Sequence, residues 1–153
     1  MIIIIEGPDG SGKTTLANTL SKQTGYPVIH RSQPKTEEEK AEMLQGYIDT
    51  IKAGRNAIFD RCWYSEMVYG PVMRDASVIT YPAMYELERM LAKRGALIIH
   101  CKDDPDILWH RATRRGEDYI KDYGIHVDIC KSFDALFSVP HLIPVVTYGY
   151  KDM

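Results

Sequence analysis

Hydrophobic and polar positions fall in blocks along this chain, strand-like runs followed by helix-like periods. The first block is an unbroken apolar run, Ile2 to Ile5, closed by Glu6. A run apolar at every position belongs to a strand covered on both faces, as in a parallel sheet. Next, Thr15 to Gln23 reads as a helix with Leu16, Ala17 and Leu20 on one face, and Gly25 ends it. Tyr26 to His30 reads as a short second strand. Thr36 and Glu39 form a capping box, and the helix they open carries Leu44, Tyr47, Ile48 and Ile51 at i, i+3, i+4 and i+7. Gly54 closes that helix. Ala57 to Phe59 is a third strand, residues 63–70 a helix, and Gly70 to Thr80 a loop of turn formers. Thr80 and Pro82 open a further helix with Met84, Leu87 and Leu91 inward, ended by Gly95. Ala96 to His100 is a fourth strand. Asp104 before Pro105 is a cap and first-turn pair for a helix bearing Ile107, Leu108 and Ala112. A last helix covers residues 125–137, and Leu142 to Val146 is a final strand that Pro144 shortens or confines to an edge.

Strands alternating with helices imply a three-layer α/β sandwich: a parallel sheet of about five strands with helices on both faces. In such sheets ligands gather at the carboxyl ends of the strands. The chain has 153 residues and shows no repeat or linker, so one domain is expected. Hydrophobic content of 44% and a net charge of −2 argue against a general nucleic-acid binder or a membrane protein. The first residues lack a signal-peptide pattern, and Cys62, Cys101 and Cys130 are too widely spaced for a disulfide framework or a zinc site. A reduced, cytoplasmic setting is expected.

Chemistry enters between the first strand and the first helix. Residues 7 to 14 read Gly-Pro-Asp-Gly-Ser-Gly-Lys-Thr, a complete GxxxxGK(S/T) phosphate loop. Glycines let backbone N–H groups curl around a polyphosphate, and the helix N-terminus adds its positive dipole end. Gly7, Asp9, Gly10, Ser11, Gly12, Lys13, Thr14 and Thr15 are therefore candidates for binding ATP. Lys13 can reach the β- and γ-phosphates, and the Thr14 hydroxyl can ligate Mg²⁺. Strand before and helix after make this a P-loop NTPase-type sandwich. The third strand ends in Asp60-Arg61-Cys62-Trp63-Tyr64-Ser65, with Tyr69 four residues on. A carboxylate there can bind Mg²⁺ beside Thr14, and an arginine next to it can fork onto an acceptor phosphate. The plainer alternative is a helix-capping Asp and a surface arginine.

With these motifs in place the chain resembles the thymidylate kinase family, in a compact, phage-type form. The resemblance rests on the loop from Gly7 to Thr14, on Asp60, Arg61, Ser65 and Tyr69, and on an arginine-rich stretch with Arg111, Arg114 and Arg115. Cys62 and Val68 depart from the family's pattern. The resemblance implies that Asp9 meets the acceptor sugar, that Arg61 clamps the acceptor phosphate and that Tyr69 lies beside the acceptor base. Arg31 is a second candidate clamp, with a solvated loop charge as the alternative. Residues 111–123 become a lid that closes over ATP. Some members carry an arginine at the position of Gly10, whereas others have a small residue and draw the arginine from the lid. This chain resembles the second kind, which makes Lys13, Arg61, Arg111 and Arg115 the expected catalytic set.

The family's base-stacking phenylalanine and base-holding arginine have no counterpart between Thr36 and Ile51. Trp63, Tyr64 and Tyr47 stand as replacements, each with core packing as the alternative. The expected reaction is γ-phosphoryl transfer from ATP·Mg²⁺ to a deoxynucleoside monophosphate. dTMP is the first choice, and dGMP, dAMP or a broad range stay open. The alternatives are a deoxynucleoside kinase acting on a 5′-hydroxyl and a non-catalytic nucleotide-binding module. The family is commonly dimeric, so a homodimer is the expectation that the resemblance carries.

Overall fold

The computed structural model describes residues 1–30, 34, 36–74, 76–77, 79–116 and 120–152. Among them run β1 (Ile2–Glu6), α1 (Lys13–Thr24), β2 (Val28–His30), α2 (Glu37–Lys52), β3 (Ala57–Asp60) and α3 (Trp63–Arg74). They are followed by α4 (Tyr81–Arg94), β4 (Ala96–Cys101), α5 (Pro105–Arg114), α6 (Tyr123–Leu136), β5 (Val145–Tyr148) and a 3₁₀ turn, Tyr150–Asp152. The strands form one parallel sheet in the order β2-β3-β1-β4-β5. The α/β class and the parallel sheet read from the sequence are those observed.

β1 lies at the centre, which is why its isoleucines are apolar without alternation. Ile2 and Ile4, with Phe59 and Ile98, point into a core built from α2, α3, α4 and α6 through Tyr47, Trp63, Leu91 and Phe133. Ile3 and Ile5, with Ile58 and Ile99, point the other way and meet α1 through Ala17. Helices thus cover both faces.

Several boundaries differ from those read in the sequence, and each has a local cause. α3 continues through Gly70 and Pro71 to Arg74, where a loop was expected. Proline removes one backbone donor, but an Arg74–Glu66 ion pair at 2.6 Å spans the last two turns. Gly70 lies within the helix, and no side chain fits there, because a Cβ would lie 2.6 Å from the Ala76 carbonyl oxygen. β5 begins only after Pro144, which has no N–H to donate, although its carbonyl still accepts from Ile98 N–H at 2.9 Å. Ile107 is exposed, because α5 turns only Leu108 and Ala112 inward. The caps at Thr36, Thr80 and Asp104 all accept the expected backbone N–H bonds.

The sheet brings four strand ends together. Ile5 pairs with Asp60, His30 with Asp60, and Glu6 with His100. The phosphate loop and the turn at Arg61 both leave the sheet at that edge. No helix among the described residues is long and apolar enough to cross a membrane.

Candidate active site

The chain leaves β1 at Glu6 and enters α1 at Lys13, so residues 7–12 form the whole connection. Two of its glycines admit no side chain. A Cβ on Gly7 would sit 2.3 Å from the Cys101 carbonyl oxygen, and one on Gly10 would sit 2.4 Å from that of Leu108. Gly10 also has φ +79, a left-handed conformation. α5 therefore lies against the loop at Gly10, and no arginine fits there. Gly12, the residue before α1, makes no side-chain cap, so the first N–H groups of α1 are presented to a ligand. Ser11 is buried, while Thr14 and Thr15 are exposed on the first turn. Lys13 is buried, and its Nζ donates to the Pro8 carbonyl at 2.9 Å. Burial, then the Arg61 charge, lowers its pKa to about 8, so it stays mostly protonated at neutral pH.

The two motifs meet at this edge. Thr14 Oγ1 donates to Asp60 Oδ2 at 2.9 Å, across 46 positions of sequence. Asp60 Oδ1 is buried without a hydrogen-bond partner among the described residues. An orphaned carboxylate oxygen beside a hydroxyl is an all-oxygen donor set, the kind Mg²⁺ takes with one or two protein groups plus phosphates. His30, which the sequence reading passed over, places Nδ1 3.3 Å from Asp60 Oδ2.

Arg61 has φ +68, the one positive value at a non-glycine position among the described residues. That conformation costs roughly 1–2 kcal/mol in an L-residue, so neighbours must hold it. Its N–H donates to the Ile5 carbonyl, and its own carbonyl accepts from Tyr47 Oη, each at 3.0 Å. Nη2 donates to Asp9 Oδ1 at 2.8 Å and lies 3.4 Å from Tyr69 Oη, while Nη1 donates to Ser65 Oγ at 3.0 Å. Burial opposes the guanidinium charge, but Tyr69, Asp9 and Glu6 outweigh it and keep Arg61 ionised. Asp9 Oδ2 is a second buried oxygen without a hydrogen-bond partner among the described residues.

Glu6 is the residue the sequence reading missed. It is fully buried at the end of β1, accepting from Cys62 N–H at 2.5 Å and from Ser65 Oγ at 2.6 Å. An acidic residue closing a buried apolar run just before the loop was the available signal. Burial raises its pKa from 4.5 to about 7, against the lowering pull of Arg61. The folded state thus holds this proton more tightly than the unfolded chain, so Glu6 favours folding more and more as pH falls from 7 toward 4.5. Glu6→Gln has no such proton. Its stability relative to wild type should rise between about pH 5 and about pH 8, by roughly 2–3 kcal/mol. Chemical denaturation of both proteins at the two pH values checks this, and a constant difference refutes it.

Two expected base contacts require correction. Trp63 and Tyr64 are both 0% exposed, packed with Tyr47, Phe59 and Phe137 in the core. Neither ring offers a face to a nucleobase. Tyr64 Oη is bound to Glu88 at 2.7 Å, and Tyr47, also buried, supports the Arg61 carbonyl. Spacing had already put Tyr47 on the apolar face of its helix, whereas for Trp63 and Tyr64 it did not give the buried face. Arg31 lies outside the described residues, as do positions 117–119 of the expected lid. Arg114 and Arg115 are exposed at the end of α5. The Arg111 guanidinium lies 3.8 Å over the Tyr150 ring, and Tyr150 Oη donates to the Gly10 carbonyl at 3.2 Å. Tyr150, far away in sequence and in no motif, thus joins α5 to the loop.

Comparison with known proteins agrees with this geometry. The sequence profile of Polyphosphate kinase 2 (PPK2) matches residues 1–129. The SPbeta prophage-derived uncharacterized protein YorR of Bacillus subtilis (strain 168) is 32% identical over 120 residues, covering 78% of this chain and 72% of YorR. A deoxyguanosine kinase of the same organism is 26% identical over 142 residues, covering 78% of this chain and 69% of that enzyme. The crystal structure of YorR in complex with phosphorylated GDP superposes with a TM-score of 0.79 at 26% identity, covering 97% of this chain and 85% of YorR.

Proposed function

The chain belongs to the polyphosphate kinase 2 family of P-loop kinases, and on that premise we propose that it transfers the γ-phosphoryl group of ATP to a deoxynucleoside monophosphate, giving ADP and a deoxynucleoside diphosphate. The observation that carries this reading is the Arg61 guanidinium, fixed beside the phosphate loop by Asp9 and Ser65. A forked arginine can take two oxygens of a phosphate acceptor at once, a use that a bare hydroxyl does not offer it.

Each part has a role in the proposal. The backbone of residues 10–15 holds the donor phosphates, and Lys13 places its charge against the β- and γ-phosphates. Thr14 and Asp60 would hold Mg²⁺, which when bound neutralises phosphate charge. Arg61 grips the acceptor phosphate in line with the donor, and the free Asp9 oxygen accepts from the acceptor sugar. Arg111 and Arg114 lie on the helix that packs on Gly10, Arg115 follows its end, and the proposal gives all three the donor side. Arg115→Ala should lower turnover about 10²-fold or more while ATP affinity stays within about twofold, because lid cations act chiefly on the transferring phosphoryl group. Turnover against nucleotide titration checks this, and equal losses in both would remove Arg115 from that role.

dTMP remains in the proposal, but the relatives' names speak of deoxyguanosine and phosphorylated GDP, so dGMP stands beside it. The deoxyguanosine kinase relative also favours a second reading, a deoxynucleoside kinase acting on a 5′-hydroxyl. ADP release with ATP·Mg²⁺ against dTMP, dGMP, dAMP, dCMP and the matching nucleosides tests both. ADP that depends on a monophosphate supports the first reading, and ADP that depends on a nucleoside replaces it with the second. The family's name calls for one further arm, with polyphosphate in place of ATP.

A further inference from the structure

The mechanism just proposed leaves Glu6 without a task, although Glu6 is the most completely buried acid next to the clamp. Its neighbours in β1 are isoleucines, and an apolar residue would fill the same space without the cost of burying a carboxyl group. What Glu6 adds is two acceptors aimed at the far side of the sheet edge. Oε1 takes the Cys62 N–H and Oε2 takes the Ser65 hydroxyl. These two bonds bracket Arg61. The amide of Arg61 is tied to the Ile5 carbonyl, and the next amide, that of Cys62, is tied to the Glu6 side chain. The last two residues of β1 therefore grip both ends of a left-handed residue that would otherwise relax.

The second bond reaches the guanidinium. Ser65 gives its hydroxyl hydrogen to Glu6 and takes Nη1–H of Arg61 on the same oxygen. Arg61 can only donate, so the Ser65 oxygen accepts from it in any case; the bond to Glu6 fixes where that oxygen stands, which sets one edge of the fork. Asp9 sets the other edge through Nη2.

We propose that Glu6 is a positioning residue for the acceptor phosphate: through Cys62 N–H it holds the strained elbow at Arg61, and through Ser65 it fixes the rotation of the Arg61 fork. This rests on the reading of Arg61 as the monophosphate clamp. Glu6 makes no hydrogen bond with Thr14 or Asp60 among those described, and the Lys13 charge acts on it less than Arg61, Ser65 and Cys62 do, so its loss should register chiefly on the acceptor side.

The test uses Glu6→Gln, Ser65→Ala and the double variant, each assayed with the monophosphate that wild type turns over. Glutamine keeps the shape and an oxygen for Cys62 N–H, but it lacks the second acceptor oxygen. Acceptor KM should rise about tenfold or more in Glu6→Gln and by a similar factor in Ser65→Ala, with the KM for ATP unchanged within about twofold. The double variant should be no worse than the poorer single one, because both cut the same relay. Unchanged acceptor KM, multiplied effects in the double variant, or equal rises in both KM values would overturn the proposal, since a merely structural role moves both sides together. Ser65→Ala decides alone if Glu6→Gln does not fold. Wild type that uses no monophosphate would remove the clamp reading itself, and this inference with it, a result visible before any variant is made.

Discussion

Lys13→Met should lower turnover on the order of 10³-fold or more and leave the fold standing. Lys13 is 7% exposed, and its Nζ donates to the Pro8 carbonyl of the loop it serves. Keeping an ammonium there is costly, as its pKa of about 8 records, and the fold gains little from it that methionine would not supply by packing. A charge held where packing does not require it is held for chemistry. Phosphoryl transfer depends on cations placed in advance around the equatorial oxygens, and Gly10 excludes a second cation from the loop itself. Steady-state turnover beside a thermal melt checks the claim. A folded variant that keeps a tenth of wild-type turnover would contradict it.

Arg61→Lys should raise the acceptor KM by about 10²-fold and reduce turnover as well, although the charge is retained. Lysine offers one ammonium where Arg61 offers a fork held at Nη1 by Ser65 and at Nη2 by Asp9. Its three donors leave from one nitrogen, so they do not span Asp9 and Ser65 as two guanidinium nitrogens do while facing a phosphate. The backbone adds to the effect, because any L-residue at φ +68 is strained and lysine brings fewer bonds to hold it. Arg61→Ala is the poorer probe, since it leaves the Asp9 carboxylate, buried in part, without its partner. Acceptor and ATP titrations on the lysine variant distinguish the clamp from a general electrostatic role. A rise in the KM for ATP alone would reassign Arg61 to the donor side.

What could be read in the sequence was what is encoded locally. Ile2 to Ile5, the glycine spacing and Lys13-Thr14 specify strand, loop and helix within 24 residues, and all three lie where expected. The caps at Thr36, Thr80 and Asp104 are equally local. The features that escaped depend on distant partners. α3 is the nearer case: it passes Pro71 with Glu66 paired to Arg74, and Gly70 lies against the carbonyl of Ala76, six positions on. Trp63 and Tyr64 are adjacent to the site in sequence and still face the core, since the face of a helix depends on what covers it. Glu6 reads as a strand end until β3 brings Cys62 and Ser65 within reach of it. Tyr150 reaches Gly10 from 140 positions away, a contact that no spacing rule foresees.

The most direct measurement follows the phosphate itself. ATP labelled at the γ-position is incubated with Mg²⁺, the protein and an equimolar mixture of deoxynucleoside monophosphates and deoxynucleosides, and the products are separated. The account predicts label in the β-phosphate of a deoxynucleoside diphosphate, dependent on both Lys13 and Arg61. Label in the single phosphate of a newly made monophosphate, or only in inorganic phosphate, would contradict it.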